Sequence, residues 1–158
     1  MHAMNAMETA VVPTNSEIFA FHLGEKEYGI EIEKIQELWA YEVVNQPANA
    51  PKFFANGIQL RGFNVPVIDL RRCFDIQLPR LDQFTVVIVL NLCGRLIGMV
   101  VDSMAEILHL PAEQIQRARG NAQIETTKLL LGVGRLGKRQ FNLLDIDQII
   151  HEQQRELA

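Results

Sequence analysis

The stretch from Gly57 to Phe74, GIQLRGFNVPVIDLRRCF, decides the fold. Apolar and polar residues alternate over residues 58 to 61, a period of two that is typical of a half-buried strand. Gly62 then breaks the run at a turn, because glycine adopts a positive φ without strain. A second, β-branched run follows, and Pro66 inside it cannot donate a ladder hydrogen bond. The stretch therefore predicts a strand, a tight turn and a second strand that lies at an edge or is bulged.

Three other segments indicate their structure by composition. Thr85 to Leu92 is almost continuously apolar and β-branched, which is typical of a strand buried on both faces. Residues 51 to 56 begin with proline and fit one helical turn. Asp145 to Leu157 has apolar residues at helical spacing, so the chain is predicted to end in an amphipathic helix.

The two halves of the chain resemble each other. Gly29 in Tyr-Gly-Ile matches Gly98 in Ile-Gly-Met, 69 residues later, and Asp69 in Ile-Asp-Leu matches Asp145 in Leu-Asp-Ile, 76 residues later. Such a repeat predicts two similar β-modules, each a small barrel of about five short strands. Neither module has room for a large core, so we expect the two to pack together as one unit. The predicted boundaries are a flexible arm over 1–16, barrel 1 over about 17–78, barrel 2 over about 83–150 within a domain spanning 17–152, and a tail over 153–158.

Composition excludes several classes of protein. The 158 residues carry a net charge of −4, so no electrostatic footprint for nucleic acid is present. No apolar run is long enough to span a membrane and the first residues lack a secretion signal, which favours a cytoplasmic protein. Cys73 and Cys93 are widely spaced beside apolar neighbours, so buried free thiols are expected rather than a disulfide or a metal site.

The sequence offers little for catalysis. The four histidines are scattered and no glycine-rich phosphate loop is present, so neither a metal nor a cofactor is predicted. Asp69 and Asp145 could act as acid and base, but their equivalent places in the repeat favour capping of the turn or helix that follows each. A non-catalytic interaction protein is the preferred interpretation. The rival is a small enzyme that uses Cys73 or the two aspartates.

Four motifs, in order, resemble the CheW family of bacterial chemotaxis coupling proteins. They are FHLGEKEYGIEIEKIQEL at 21–38, LRGFNVPVIDLR at 60–71, TVVIVL at 85–90 and GMVVDS at 98–103. The resemblance covers roughly residues 17 to 150. It implies a mainly β fold of two five-stranded SH3-like barrels packed together, with short helices and a C-terminal helix, which agrees with the repeat.

The resemblance also implies a function. Members of the family are adaptors of a two-component system, without catalysis, cofactor or metal, that couple methyl-accepting chemoreceptors to the histidine kinase CheA. The implied partners are the receptor's cytoplasmic hairpin tip, held in a groove between the barrels, the regulatory domain of CheA, and other CheW-like domains in rings. The implied location is the cytoplasm, at the inner face of the membrane through receptor arrays, with no direct membrane insertion and no nucleic acid.

Matching the motifs position by position implies the site residues. The kinase-facing positions are Asn56 and Gly57, in the turn before the central strand. Trp39 and Tyr41 either anchor a partner or fill the core. Trp39-Ala40-Tyr41 stands where the family usually has Arg-Gly-Tyr, which leaves open an alternative, a scaffold of a non-flagellar pathway for pilus motility or cyclic-di-GMP control. The implied receptor-binding residues are Ile35, Glu37, Leu38, Arg61, Val86 and Ile107.

Overall fold

The computed structural model describes residues 16–40, 52–54, 57–74, 84–117 and 129–157. Two α-helices are present there, together with single 3-10 turns at Ile32–Lys34 and Ala112–Gln114. The helices are α1 (Leu70–Cys73) and α2 (Ile146–Leu157). The strands are β1 (Ser16–Leu23), β2 (Lys26–Glu31), β3 (Ile35–Ala40), β4 (Lys52–Phe54), β5 (Gly57–Leu60), β6 (Phe63–Asp69), β7 (Val86–Leu92), β8 (Arg95–Val101), β9 (Ser103–Leu110), β10 (Ile115–Arg117), β11 (Leu130–Leu136) and β12 (Arg139–Leu144).

The described strands form two sheets with the same topology. Sheet 1 has the order β10-β11-β12-β2-β1-β9, and sheet 2 has the order β4-β5-β6-β8-β7-β3. Strands β1 to β6 of the first half are equivalent in order to strands β7 to β12 of the second half. The repeat predicted from the sequence is therefore present in the fold. Each sheet contains one parallel contact, β12 with β2 and β6 with β8, and the other pairings are antiparallel.

The two repeated glycines lie at those parallel contacts. Gly29 is opposite Leu143, and Gly98 is opposite Val67. A Cβ atom added to Gly29 would lie 2.5 Å from Cγ2 of Ile18, and one added to Gly98 would lie 3.1 Å from Cγ2 of Val67. Close approach of neighbouring side chains therefore explains why the same residue type stands at both places.

The sheets do not coincide with the two halves of the chain, which corrects the boundaries 17–78 and 83–150 as a division into barrels. The β1–β2 hairpin pairs with strands β9 to β12, and the β7–β8 hairpin pairs with strands β3 to β6. The chain crosses from sheet 1 to sheet 2 at Ile32–Lys34 and returns at Asp102. Each half thus contributes its first hairpin to the sheet formed by the rest of the other half. These hairpins are the apolar strands at the centre of each sheet.

Three clusters of buried side chains explain the layering. In β7, Val87 and Val89 belong to the core inside sheet 2, whereas Ile88 and Leu90 belong to the cluster between the sheets. The prediction that Thr85 to Leu92 contains a strand buried on both faces is therefore confirmed. We call the cluster between the sheets the seam core. It comprises Phe19, Phe21, Leu23, Tyr28, Ile30, Ile68, Leu70, Ile88, Leu90, Ile97, Met99, Val101, Leu129, Leu130, Leu144, Ile146, Ile149 and Ile150.

The mainly β fold class and the closing helix are confirmed, and four local predictions are wrong. Residues 52 to 54 form a strand paired with β5 rather than a helical turn. Pro66 lies in an inner strand, which is tolerated because β8 pairs with β6 only from Val67 onward. Cys93 is exposed, since it occupies a two-residue turn with φ of 54°. Helix α2 continues to Leu157, through most of the segment that was expected to be a tail.

Candidate functional site

The equivalent edge strands β3 and β9 carry equivalent exposed aliphatic residues. Leu38 on β3 and Ile107 on β9 are 39% and 46% exposed. Leu38 lies opposite Ile88, and Ile107 lies opposite Phe19, and both of these partners belong to the seam core. Since directly opposed residues share a face of the sheet, both aliphatic side chains stand on the side of the sheet that faces the seam core.

The space between the sheets is not an open groove. Large side chains from both sheets fill it, including Phe19, Phe21 and Met99, each with no exposed surface. The filled interior leaves no room for a partner helix between the sheets. The expected contact is therefore restricted to the rim of the seam core. Ile35 and Val86 pack against that core and remain partly exposed, so they belong to the same rim.

Glu37 and Arg61 contact each other across sheet 2. Arg61 occupies the turn between β5 and β6 with φ of 49°, and its Nη1 donates to Oε1 of Glu37 at 3.1 Å while its Nη2 donates to Oε2. Trp39 Nε1 also donates to Oε1, at 2.8 Å. These hydrogen bonds, above all those from Arg61, hold the pKa of the Glu37 carboxyl below its ordinary value.

The implied receptor-binding residues divide between the two faces of β3. Glu37 lies opposite Val89 and Trp39 lies opposite Val87, and both of these partners belong to the core of sheet 2. Trp39 packs against that core, so it partly fills the interior. The polar pair and the aliphatic residue Leu38 therefore point to opposite faces, but β3 is an edge strand of its sheet and both faces border the same edge.

Sheet 1 contains a counterpart of this ion pair. Glu106 on β9, 69 residues after Glu37, accepts a hydrogen bond from Arg139 Nη1 at 2.5 Å. Arg139 also donates to Glu27 from Nη2 at 2.7 Å, and its guanidinium carbon lies 4.7 Å from the centre of the Phe141 ring. The hydrogen bond from Arg139 lowers the pKa of the Glu27 carboxyl. In each sheet an arginine from a hairpin thus holds the glutamate of the outermost strand.

The positions that the resemblance implies for the kinase contact are only partly described. Asn56 lies outside the described residues. Gly57 is the first residue of β5, where a Cβ atom would lie 2.6 Å from the backbone oxygen of Val65. The glycine is therefore explained by close approach of β6, which gives it a structural role whatever it contacts.

The two aspartates of the repeat cap the elements that follow them, as the sequence predicts. Oδ1 of Asp69 accepts a hydrogen bond from the backbone nitrogen of Arg71 at 3.0 Å. Oδ1 of Asp145 accepts one from the backbone nitrogen of Gln148 at 3.1 Å. Each carboxylate therefore satisfies a backbone donor at the start of a helix.

Arg71 links the two sheets from a buried position. It is 3% exposed, and its Nε donates to Oδ1 of Asp69 at 2.8 Å while Nη1 lies 3.7 Å from Oδ1 of Asp102. Oδ2 of Asp102 accepts from the backbone nitrogen of Gly24 at 2.7 Å. The hydrogen bond to Asp69 raises the pKa of Arg71, so the group stays charged. The cluster fixes the point where the chain returns to sheet 1.

Met104 and Phe63 are exposed apolar residues that were not among the implied site residues. Met104 is 49% exposed and lies opposite Phe21 of the seam core, so it extends the aliphatic rim next to Ile107. Its match to Ile35 in the repeat is the signal that could have identified it. Phe63, 70% exposed, follows the Arg61–Gly62 turn. No sequence pattern separates it from a core residue.

Among the described residues, no group of histidine, cysteine, aspartate or glutamate side chains could hold a metal ion. Within the same part of the chain, no helix is long and apolar enough to cross a membrane.

Comparisons with known proteins agree with this architecture. The family model described as a CheW-like domain matches residues 17–154. The chain is 43% identical over 142 residues to the chemotaxis protein CheW of Klebsiella aerogenes, covering 90% of this chain and 86% of that protein. It is 25% identical to the chemotaxis protein CheW of Rhizobium meliloti, covering 90% and 92%.

A solved structure supports the fold. The crystal structure of the scaffolding protein TtCheW from Thermoanaerobacter tengcongensis superposes with a TM-score of 0.69 at 23% identity, covering 84% of this chain and 90% of that one. At this identity the match supports the fold alone, whereas the family model and the Klebsiella relative carry the assignment. The chain therefore belongs to the CheW-like family of chemotaxis proteins.

Proposed function

We propose that this chain is a non-catalytic adaptor that couples chemoreceptors to the histidine kinase CheA. Its receptor contact is the rim of the seam core, where Leu38 and Ile107 present exposed aliphatic side chains from the two outermost strands. A receptor helix needs aliphatic anchors and a few polar groups to fix its register. The Glu37–Arg61 pair supplies the polar groups at the edge of β3.

The single observation that carries the proposal is the equivalence of Leu38 and Ile107. Large aliphatic side chains are usually buried, yet the repeat keeps one exposed at the same place in both halves. Ile35 and Val86 border the same core and complete the aliphatic rim. The kinase contact is proposed at Asn56 and Gly57, and the working location is the cytoplasmic side of receptor arrays, together with other CheW-like domains.

Receptor co-sedimentation tests the rim. Ile107→Asp and Leu38→Asp place a charge on the rim, and we expect each to reduce co-sedimentation with receptor cytoplasmic fragments at least tenfold, the effect of removing about 1.4 kcal/mol of binding free energy. Arg61→Ala removes the two hydrogen bonds from Arg61 to Glu37 and is expected to weaken the same binding. Gln116→Asp is the matched control, because it adds one charge at an exposed position on β10, the opposite outermost strand of sheet 1.

Measuring binding to the CheA regulatory domain distinguishes the kinase contact from the receptor contact. Ile107→Asp should retain that binding while losing the receptor, with an unchanged circular dichroism spectrum. Equal receptor binding by Ile107→Asp, Leu38→Asp and the Gln116 control would remove the rim from the site. Loss of both partners with an intact spectrum would instead contradict two separate contacts.

A further inference from the structure

A row of three exposed polar residues, two of which are basic, crosses three neighbouring strands of sheet 1. Arg135 on β11 lies directly opposite Gln140 on β12. The parallel register of β12 and β2 pairs Phe141 with Glu27, so the preceding residues, Gln140 and Lys26, are also side by side. All three members of the row, Arg135, Gln140 and Lys26, are exposed. We call them the basic row.

The basic row lies on the opposite face of the sheet from the Arg139 ion pairs. Lys26 is two residues before Tyr28, and Gln140 is two residues before Asn142, which lies opposite Tyr28. Residues two apart along a strand share a face, so the row continues the face that buries Tyr28. Arg139 and Glu27 are one residue away from Gln140 and Lys26 and therefore point to the other face.

The charges of the row are not neutralised within the described part of the chain. Arg139 is held by both Glu27 and Glu106, whereas neither Arg135 nor Lys26 forms an ion pair with any described carboxylate. The whole chain has a net charge of −4. Two cations that form no ion pair with a described carboxylate flank an amide here, and such cations attract acidic side chains of a partner.

The distance between the two cations of the basic row indicates the geometry that the partner must have. Neighbouring strands are about 4.8 Å apart, so Arg135 and Lys26, two strands apart, are separated by about 10 Å. Seven residues of α-helix rise about 10.5 Å, and residues seven apart lie on the same face. We propose that the basic row docks a partner helix with acidic side chains at positions i and i+7 and a polar side chain between them that contacts Gln140.

Synthetic helical peptides test the spacing. One peptide carries glutamates at i and i+7, a second carries the same two glutamates at i and i+5, and a third carries glutamines instead. Binding is measured by fluorescence anisotropy at low ionic strength, where surface charges are least screened. We expect the i, i+7 peptide to bind at least threefold more tightly than either of the others, with the difference disappearing in 1 M salt.

Charge-removal variants test the residues. Arg135→Gln and Lys26→Gln should each weaken the i, i+7 peptide about two- to fivefold, the range of exposed ion pairs. Lys138→Gln is the matched control, because it removes one positive charge from the adjoining turn but lies outside the row. Its effect should be less than half as large. Equal losses for all three variants, or equal binding of the i, i+7 and i, i+5 peptides, would overturn the proposal in favour of diffuse attraction.

Discussion

Arg139 occupies in sheet 1 the position that Phe63 occupies in sheet 2. Each is the first strand residue after a two-residue turn and lies directly opposite the last residue of the preceding strand. Arg139 bridges Glu27 and Glu106 over the Phe141 ring, whereas Phe63 is 70% exposed. The backbone position is thus the same in both copies of the repeat, whereas the side chain and its contacts differ.

Replacing Arg139 by alanine should lower the free energy of unfolding by about 1 kcal/mol. The variant loses two exposed ion pairs and a cation–π contact, each of which contributes a fraction of a kcal/mol. Urea denaturation measures the change. Arg135→Ala is the control, because Arg135 is exposed on the neighbouring strand without an ion pair among the described residues, and its effect should stay within about 0.5 kcal/mol. Equal effects of the two variants would show that the Arg139 network is not stabilising.

The stabilisation by Arg139 should depend on pH. Its hydrogen bond lowers the folded-state pKa of Glu27 below the ordinary 4.5. A depressed carboxyl pKa stabilises the fold at pH values above the unfolded pKa, and this contribution is lost as the pH falls through the folded pKa. The difference in stability between the native chain and Arg139→Ala should therefore be constant from pH 6 to 7 and shrink below pH 4.5. A difference that grows on acidification would contradict the assigned cause.

Alanine at the two repeated glycines should give unequal losses of stability. At Gly29 the added carbon would lie 2.5 Å from Ile18 Cγ2, and at Gly98 the closest approach is 3.1 Å. Overpacking of this kind costs about 1–3 kcal/mol, so Gly29→Ala should fall at the upper end and Gly98→Ala at or below the lower end. Paired urea titrations measure both, and a reversed order would show that local relaxation rather than the closest contact decides the cost.

The two halves should fold only together. Chains covering 1–78 and 79–158, expressed together, are expected to copurify in equal amounts and give the β-type circular dichroism spectrum of the whole chain. The reason is that each half provides two central strands to the other's sheet. Expressed alone, neither should give a folded monomer. A stable monomeric half would contradict the exchange of hairpins.

Local sequence patterns predict much of the fold. The alternation around Gly62 placed the β5–β6 hairpin, and the helical spacing after Asp145 placed α2. The match of Gly29 to Gly98 indicated the repeat, and the structure places both glycines at parallel strand contacts, which the sequence does not predict. These features could be predicted because each depends on residues close in sequence or on an internal repeat.

Long-range pairing could not be predicted in the same way. The β1–β2 hairpin has the pattern of any hairpin, and nothing local indicates that its neighbours are β9 and β12 rather than β3. The Glu37–Arg61 contact joins residues 24 positions apart, and sequence spacing alone gave no reason to pair them. The resemblance points to both residues, but only the folded geometry shows that Arg61 donates hydrogen bonds to Glu37.

The exchanged hairpins bear on the origin of the chain. Each six-strand unit contains one copy of every strand type of a sheet, but its two central strands lie in the sheet of the other unit. Tandem duplication of one six-strand unit accounts for this pattern, in which each copy's first hairpin lies in the sheet of the other copy. Once joined, the halves were free to diverge, and the arginine and phenylalanine now found at one shared place are a record of that divergence.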